Sequence, residues 1–322
     1  MNPANTFPLF RGSTIRVFEP SIQDFIERVK ENKSFTFVRE QSEWWHLIYE
    51  GLKTCAHGVE IQKYNFKDKH FLDTLTRAII KQQPRIGGDR GWPPHTYEVW
   101  RGCVEIMTAP KPLGFHFGVS QGHICHANIT TDQDVPPPLS YAHLRPRRPQ
   151  AHEVDLIIQS LFPKDERLWR ATVWRKWGAT SEIHRFFEEF KKDHIVVVGR
   201  KAYSNFGQKL QLPNYHFLET HGTNASPDLD KIQTSIVNLH NSTIKSDSER
   251  IIYLMAAGDT TRYIQWRLHD TLRGNVSMID VGRALDPYYR HDRVFRNNSG
   301  AWGHWHHYPA WVPNVCPYVI QK

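Results

Sequence analysis

Between Arg250 and Pro287 the chain reads RIIYLMAAGDTTRYIQWRLHDTLRGNVSMIDVGRALDP, a pattern with few structural solutions. An apolar run from Ile251 to Ala257 meets Gly258. Asp259, Thr260 and Thr261 follow, short polar residues suited to capping a helix, and the spacing predicts that helix over Arg262 to Leu272. A turn at Arg273-Gly274-Asn275 leads to a second apolar run that closes on Asp280-Val281-Gly282. Strand, small-residue loop, helix and strand in that order leave backbone N–H groups and short polar side chains at the carboxyl edge of a parallel sheet. Such edges hold anionic or nucleotide ligands.

The alternation extends backwards through the second half. HIVVVG, His194 to Gly199, is a continuous β-branched run and reads as a strand buried on both faces. YHFLE, Tyr215 to Glu219, reads as another strand, and Asp228 to Leu239 as a helix. The expected class is therefore α/β: a Rossmann-like, mostly parallel sheet flanked by helices. Upstream, Ile22, Phe25, Ile26 and Val29 recur at helical spacing over residues 20–31, with Ser21 as N-cap. Residues 34–39 read as a strand, Trp44 to Tyr49 as a helix or helical turn, 71–81 as a helix and 113–119 as a short strand. Helices are expected at 151–161 and 180–192, and WRATVW, Trp169 to Trp174, alternates like a strand. A proline-rich connector covers 134–149. The expected organisation is an N-terminal α/β portion (1–150), a Rossmann-like portion (151–296) and an aromatic tail packed on the body (297–322).

At 322 residues the chain can bury a sizeable core. No apolar run approaches the roughly 18–20 residues of a membrane span, so membrane insertion is not expected. The start lacks the basic-then-apolar pattern of a secretory signal. The four cysteines are scattered without a CxxC pair, which suits reduced thiols and a cytoplasmic location. His123, Cys125 and His126 stand too close together for a usual zinc site. The net charge of +8 favours a polyanionic partner, though an enzyme that grips only a nucleotide phosphate would carry a similar balance.

Candidate functional residues gather at the predicted strand ends. After residues 34–38 come Arg39, Glu40, Glu43 and Trp44. Two carboxylates three residues apart can hold a divalent cation, activate a hydroxyl or bond to sugar hydroxyls, and the arginine can neutralise a phosphate. The alternative is an ordinary loop with a surface salt bridge. Gly199 permits a tight turn, and Arg200 then stands where a phosphate can approach; a plain basic turn would look alike. His221, in Thr220-His221-Gly222-Thr223-Asn224, is a base, a phosphate donor or a loop-bonded histidine. Gly258, Asp259, Thr260, Thr261, Asp280 and Gly282 match neither a P-loop nor a GxGxxG fingerprint. Three successive sheet-edge loops of this composition nevertheless mark a ligand cleft. The densest basic segment holds Arg145, Arg147 and Arg148, either a solvated connector or a phosphate-gripping loop. The tail carries Trp302, Trp305 and Trp311 among glycines and prolines, aromatic surfaces suited to stacking on bases or sugars.

Taken in order, these segments resemble the GT-D-type (DUF1792-like) glycosyltransferases, which use nucleotide sugars. That family shows a strand ending like F-S-F-V-R-F-G-D-G-E-W, and this chain has Phe35-Thr36-Phe37-Val38-Arg39-Glu40-Gln41-Ser42-Glu43-Trp44. The V-V-V-G strand corresponds to Val196 to Gly199. The strand–G-P-T-A–helix unit corresponds to Gly258 to Thr261, and D-I-G before an acid to Asp280-Val281-Gly282 before Asp286. The likeness spans roughly residues 20–290. It implies a nucleotide-sugar donor, a UDP-sugar first, bound by Arg39, Gly199, Arg200, His221, Gly258, Thr260, Thr261, Asp280 and Gly282. It implies catalytic roles among Glu43, Glu40 and Asp259, with Glu43 the ligand of any divalent Mn or Mg. This chain departs from the family at D-G-E: the arginine and last glutamate stand one residue closer, and the first aspartate has no clear equivalent. Metal-independent transfer is thus open.

The basic balance and the aromatic tail point to DNA as acceptor, specifically a hydroxymethylated pyrimidine as in phage DNA modification. Arg145, Arg147, Arg148, Trp44 and Trp305 are the DNA-facing candidates, and reaching a base in duplex DNA requires flipping it. A cell-wall or capsular glycan is the rival acceptor. A binding module without turnover is the rival class, and a methyltransferase is disfavoured because no glycine-rich loop follows an N-terminal strand.

Overall fold

The structure is a computed structural model, and it describes residues 6–9, 13–31, 33–40, 44–56, 65–66, 68–87, 96–119, 151–180, 182–220, 225–272, 274–282 and 284–285. Its elements, in chain order, are β1 (Thr6–Pro8), β2 (Arg16–Phe18), α1 (Ile22–Glu31), β3 (Ser34–Arg39), α2 (Trp44–Ala56), α3 (Lys69–Gly87), α4 (Tyr97–Thr108), β4 (Phe115–Val119) and α5 (Ala151–Leu161). Then follow β5 (Trp169–Arg170), α6 (Val173–Thr180), α7 (Ile183–Glu189), β6 (His194–Gly199), α8 (Phe206–Lys209), β7 (Tyr215–Glu219), α9 (Leu229–Thr243), β8 (Arg250–Met255), α10 (Asp259–Leu268) and β9 (Asn275–Asp280). The strands join in the hydrogen-bonded order β1-β2-β5-β4-β3-β9-β8-β6-β7, a mostly parallel sheet in an α/β chain, as the sequence pattern predicts. The chain forms two compact units, residues 1–19, 39–112 and 117–170 in one, and 20–38, 113–116 and 171–322 in the other.

In the first unit β1 pairs antiparallel with β2, and β5 runs parallel to both β2 and β4. The loop before β2 is fastened to α5. Buried Asp155 accepts from Ser13 Oγ at 2.6 Å, from the Thr14 N–H at 2.6 Å and from Thr14 Oγ1 at 3.0 Å. Helices α2 and α3 meet at Gly51, where a Cβ would lie 2.8 Å from Ile79 Cγ1, so this close approach needs glycine. Helix α4 has no counterpart in the sequence reading. It starts on Thr96, whose hydroxyl accepts the Val99 N–H at 3.4 Å, and it buries Val99, Trp100, Cys103, Val104, Ile106 and Met107. Val99, Cys103 and Met107, with Trp100 and Val104 beside them, recur at helical spacing, so the pattern was present in the sequence.

The second unit carries the parallel strands β3-β9-β8-β6-β7. Helix α1 opens with a reciprocal cap: Ser21 Oγ accepts the Asp24 N–H at 3.1 Å, and the Asp24 carboxylate accepts the Ser21 N–H at 2.9 Å. Its predicted apolar face, Ile22, Phe25, Ile26 and Val29, is buried. Strand β3 is covered on both sides, with the period of two deciding which side chain goes where. Phe35 and Phe37 meet Phe25 edge-to-face, with ring centroids 5.1 and 5.6 Å away. Thr36 between them turns to the other face and bonds to His269. In β6, Ile195 to Val198 are fully buried; burying each such aliphatic side chain stabilises by about 1.5–3 kcal/mol.

Three sequence expectations shift. Only Trp169 and Arg170 of the predicted strand over 169–174 are extended, and Val173 starts α6. Trp174 and Trp177, three residues apart, both pack edge-to-face on Phe25 at 5.3 and 5.4 Å, and that shared contact needs helical spacing rather than alternation. The single helix predicted over 180–192 is instead α6, ending at Thr180, and α7, over Ile183–Glu189. The helix predicted over 262–272 begins three residues earlier, at Asp259, and ends at Leu268. The connector over 134–149 and the tail over 297–322 lie outside the described residues.

Candidate functional site

Register sets where the strand ends of the second unit fall. Phe37 pairs with Ile279, Met255 with Asp280, Val198 with Met255, and Gly199 with Glu219. The last residues of β3, β9, β8, β6 and β7 therefore stand along one edge. Backbone bonds knit the edge just beyond the strands: Val281 N–H to Met255 O at 3.0 Å, Ala256 N–H to Val198 O at 2.8 Å, and Thr220 N–H to Gly199 O at 2.8 Å. Of the residues read from sequence as donor-binding, the edge carries Gly199, Gly258, Thr260, Thr261, Asp280 and Gly282, with Arg200 just past β6.

The chain leaves β8 through Gly258, whose φ of +67° lies in the region that favours glycine. Gly258 is the N-cap of α10, and no side chain caps it. The expectation that Asp259, Thr260 and Thr261 cap the helix is thus corrected: they form its first turn. Thr261 reaches back, its Oγ1 accepting the Ala257 N–H at 3.1 Å. Thr260 is fully buried, and its Oγ1 has no hydrogen-bond partner among the described residues. Asp259 is bonded through Oδ1 to the Arg262 guanidinium, one turn along the helix, and both side chains are essentially out of water. Sequence reasoning did not single out Arg262. An arginine three residues after an aspartate at a helix start makes such a pair possible without fixing it.

Helix α10 is fixed to β3 from its far side. Gln265 Nε2 donates to Phe37 O at 3.2 Å. His269 Nε2 lies 3.0 Å from the Leu113 carbonyl, which can only accept. That assigns the proton to Nε2, so Nδ1 accepts from the Thr36 hydroxyl at 2.8 Å. Burial holds the His269 pKa below its ordinary value, against the Leu113 carbonyl and Asp270, which favour the charged form.

At the end of β9, Asp280 is buried and its Oδ1 accepts the Gly282 N–H at 2.9 Å. Gly282 takes a φ of +50° to make this tight turn. The loop then rests on α6: a Cβ on Gly178 would lie 2.5 Å from the Ala284 carbonyl oxygen. At the end of β6, Arg200 lies over the Tyr203 ring at 5.0 Å and donates to its hydroxyl at 3.2 Å.

Arg39 and Glu40, which follow Val38 of β3 and belong to the first unit, are both buried, not a solvent-exposed surface pair. The Glu40 N–H donates to Gly118 O at 2.8 Å. Glu43, His221, Arg145, Arg147, Arg148 and Trp305 lie outside the described residues; Trp44 is the first residue of α2. A hard divalent cation needs several oxygen ligands. Among the described residues no group of three or more His, Cys, Asp or Glu side chains stands together. Asp259 is engaged by Arg262, and Asp280 by Gly282. At this edge the described residues by themselves do not make a metal centre.

Among the described residues no helix is long and apolar enough to cross a membrane. No protein-family profile and no curated protein matches the chain. Among solved structures it is similar to a selenomethionine-substituted domain of unknown function 1792 (DUF1792), at 13% identity and a TM-score of 0.47 over 86% of this chain and 82% of that one. It is also similar to a structure described as a new glycosyltransferase (DUF1792) from Streptococcus sanguinis, at 12% identity and a TM-score of 0.47 over 83% and 82%.

Proposed function

We propose that this chain is a glycosyltransferase that moves a sugar from a nucleotide-sugar donor, a UDP-sugar first, to a hydroxyl acceptor. The observation that carries the reading is the common edge of β3, β9, β8 and β6 in the second unit, with Asp280 and Gly199 at strand ends and Gly282, Gly258 and Thr260 just beyond them. The ordered resemblance to GT-D-type enzymes supports it. On this reading the diphosphate lies at the start of α10, where the first backbone N–H groups of a helix stay available to an anion and its dipole favours negative charge. The Thr260 hydroxyl adds a donor there. Arg39 and Arg200 neutralise phosphate charge, and Asp280 bonds to ribose or sugar hydroxyls.

Transfer breaks the bond between the anomeric carbon and the diphosphate oxygen and forms a bond to the acceptor oxygen. The acceptor proton goes to a carboxylate, Glu43 first. That role requires an approach of about 2.6–3.2 Å to the acceptor oxygen. Alignment of donor and acceptor, with stabilisation of the departing diphosphate, supplies most of the rate.

For the acceptor we propose a hydroxymethylated pyrimidine in DNA, a reading that rests on Arg145, Arg147, Arg148, Trp305 and the net charge of +8. The test is to incubate the purified chain with a nucleotide-sugar panel, offering hydroxymethylated DNA and glycan acceptors in parallel. Released nucleotide and the acceptor mass are measured. A hexose-, pentose- or N-acetylhexosamine-sized gain on DNA is expected. A gain on glycan alone would reassign the acceptor. Neither binding nor hydrolysis of any nucleotide sugar would sink the transferase reading.

A further inference from the structure

We propose that His194 and His216 form a two-imidazole site for a divalent transition-metal ion, at the sheet edge opposite the strand ends described above. His194 is the first residue of β6 and His216 the second of β7. The register pairs Val196 with His216. His194 lies two residues before Val196, so by the period of two both rings project from the same face, as diagonal neighbours on adjacent strands.

His194 Nδ1 and His216 Nε2 stand 3.3 Å apart, with ring centroids at 5.5 Å and planes tilted by 37°. A tetrahedral ion with metal–nitrogen bonds of about 2.0–2.1 Å holds two nitrogens roughly 3.3 Å from each other. The pair thus already has the ligand-to-ligand separation of a bound ion. Small ring rotations turn the facing nitrogens from each other onto a shared metal. Without metal, one imidazole donates its N–H to the other. On binding, that proton moves to the donor ring's other nitrogen, so both facing nitrogens offer lone pairs and the pair loses no proton.

The surroundings suit a cation. Asp193 and Glu249 both interact with His194 electrostatically. Arg250, Lys30 and Glu189 act on Asp193, and Lys245 on Glu249, so the positive charges nearby are opposed by carboxylates. Both rings are half-buried, within reach of solvent. Among the described residues no third His, Cys, Asp or Glu joins them. Water fills the remaining positions, and the ion exchanges readily. Imidazole ligands favour Cu²⁺ first, then Ni²⁺ and Zn²⁺, over Mg²⁺ or Mn²⁺. The proposal is independent of the transferase reading.

The test titrates the full chain near neutral pH with Cu²⁺, Zn²⁺ or Mg²⁺ alone. For Cu²⁺ and Zn²⁺ the melting midpoint should rise with the logarithm of free metal, and for Mg²⁺ it should not move. His194→Gln and His216→Gln should each lose the rise. If the glutamine variants fail to fold, histidine modification of the parent by diethyl pyrocarbonate, read by peptide mass with and without Zn²⁺, decides, and protection of His194 and His216 is expected. An unchanged shift in the His194→Gln/His216→Gln double variant, no shift in the parent, or no protection of these two rings by Zn²⁺ would overturn the proposal.

Discussion

Replacing Asp259 by alanine separates two roles that the start of α10 can play. Arg262 is fully buried and Asp259 is 2% exposed, so the substitution strips a guanidinium of its carboxylate where water barely reaches. Removing one partner of a buried pair costs about 3–5 kcal/mol, because the remaining charge stays desolvated. Replacing both partners by apolar groups of similar volume is close to neutral on the same grounds. Asp259→Ala should therefore lower the urea midpoint strongly, and Asp259→Ala/Arg262→Met should recover most of the loss. The coupling energy would be about 3 kcal/mol, and the denaturant slope should not change. A single-variant cost below about 1 kcal/mol would refute the buried-pair argument. The restored double variant then reports on the site. If the pair only secures the first turn of α10, the double variant binds nucleotide sugar as the parent does. If either side chain meets the donor, binding is lost although stability has returned.

Burial also sets two pH-dependent effects. The Lys111 amine, bonded to Ala109 O at 2.6 Å and paired with Glu166 at 3.9 Å, is pushed down to about 8 by burial, against the attraction of Glu166. Between about 8 and 10.5 the unfolded chain then holds the extra proton, so stability should rise with pH across that window, by up to roughly 3 kcal/mol. Denaturation series at stepped pH should show this gain in the parent and not in Lys111→Met. His269, whose pKa is depressed, contributes with the same sign at lower pH. Stability should fall as pH drops below about 6.5, where the unfolded imidazole takes up a proton and the buried one does not. His269→Gln should flatten that part of the profile; an unchanged slope would show that the Thr36–His269–Leu113 chain does not resist protonation. Finally, Gly207→Ala would put a methyl 2.1 Å from Tyr215 Cγ, and Tyr215 is held by its hydroxyl bond to Tyr203 O at 2.6 Å. A loss of about 1–3 kcal/mol in chemical denaturation is expected.

The apolar runs Ile195 to Val198 in β6 and Ile251 to Met255 in β8 were legible because a strand buried on both faces needs apolar residues without interruption. Helix α1 was legible for the opposite reason: one buried stripe at helical spacing and a serine cap three residues before an aspartate. Short extended pieces were not. Strand β2 has three residues, too few to show a period, and it exists because Thr6 to Pro8 and Trp169 lie beside it. WRATVW misled because a tryptophan at every helical turn and an alternating strand share the same local letters. Only the distant Phe25 tells them apart.

The same reasoning separates what was readable of the candidate site from what was not. Gly258 and Gly282 announced a change of chain direction, and both take positive φ. The role of Asp259 was not readable, because it depends on whether Arg262 folds back or points to solvent. That choice is made by what covers α10, not by the two residues between them. Strand β3, carrying Thr36, and strand β8, preceding Gly258, belong to distant parts of the sequence, and His269 and Gln265 tie α10 to the first of them. The polar residues that hold the site together, His269, Gln265 and Arg262, are buried and bonded within the protein. Of the residues expected to touch ligand, Gly258, Asp280 and Gly282 lie at or just past strand ends, and Thr260 lies in the first turn of α10. Sequence motifs find the second set because loop chemistry is local. The first set becomes visible only when the helix is laid against the sheet. On the proposed transferase reading, substitutions in it should alter donor binding through the placement of α10, with the spacing of Gly258 and Asp280 as the quantity that changes.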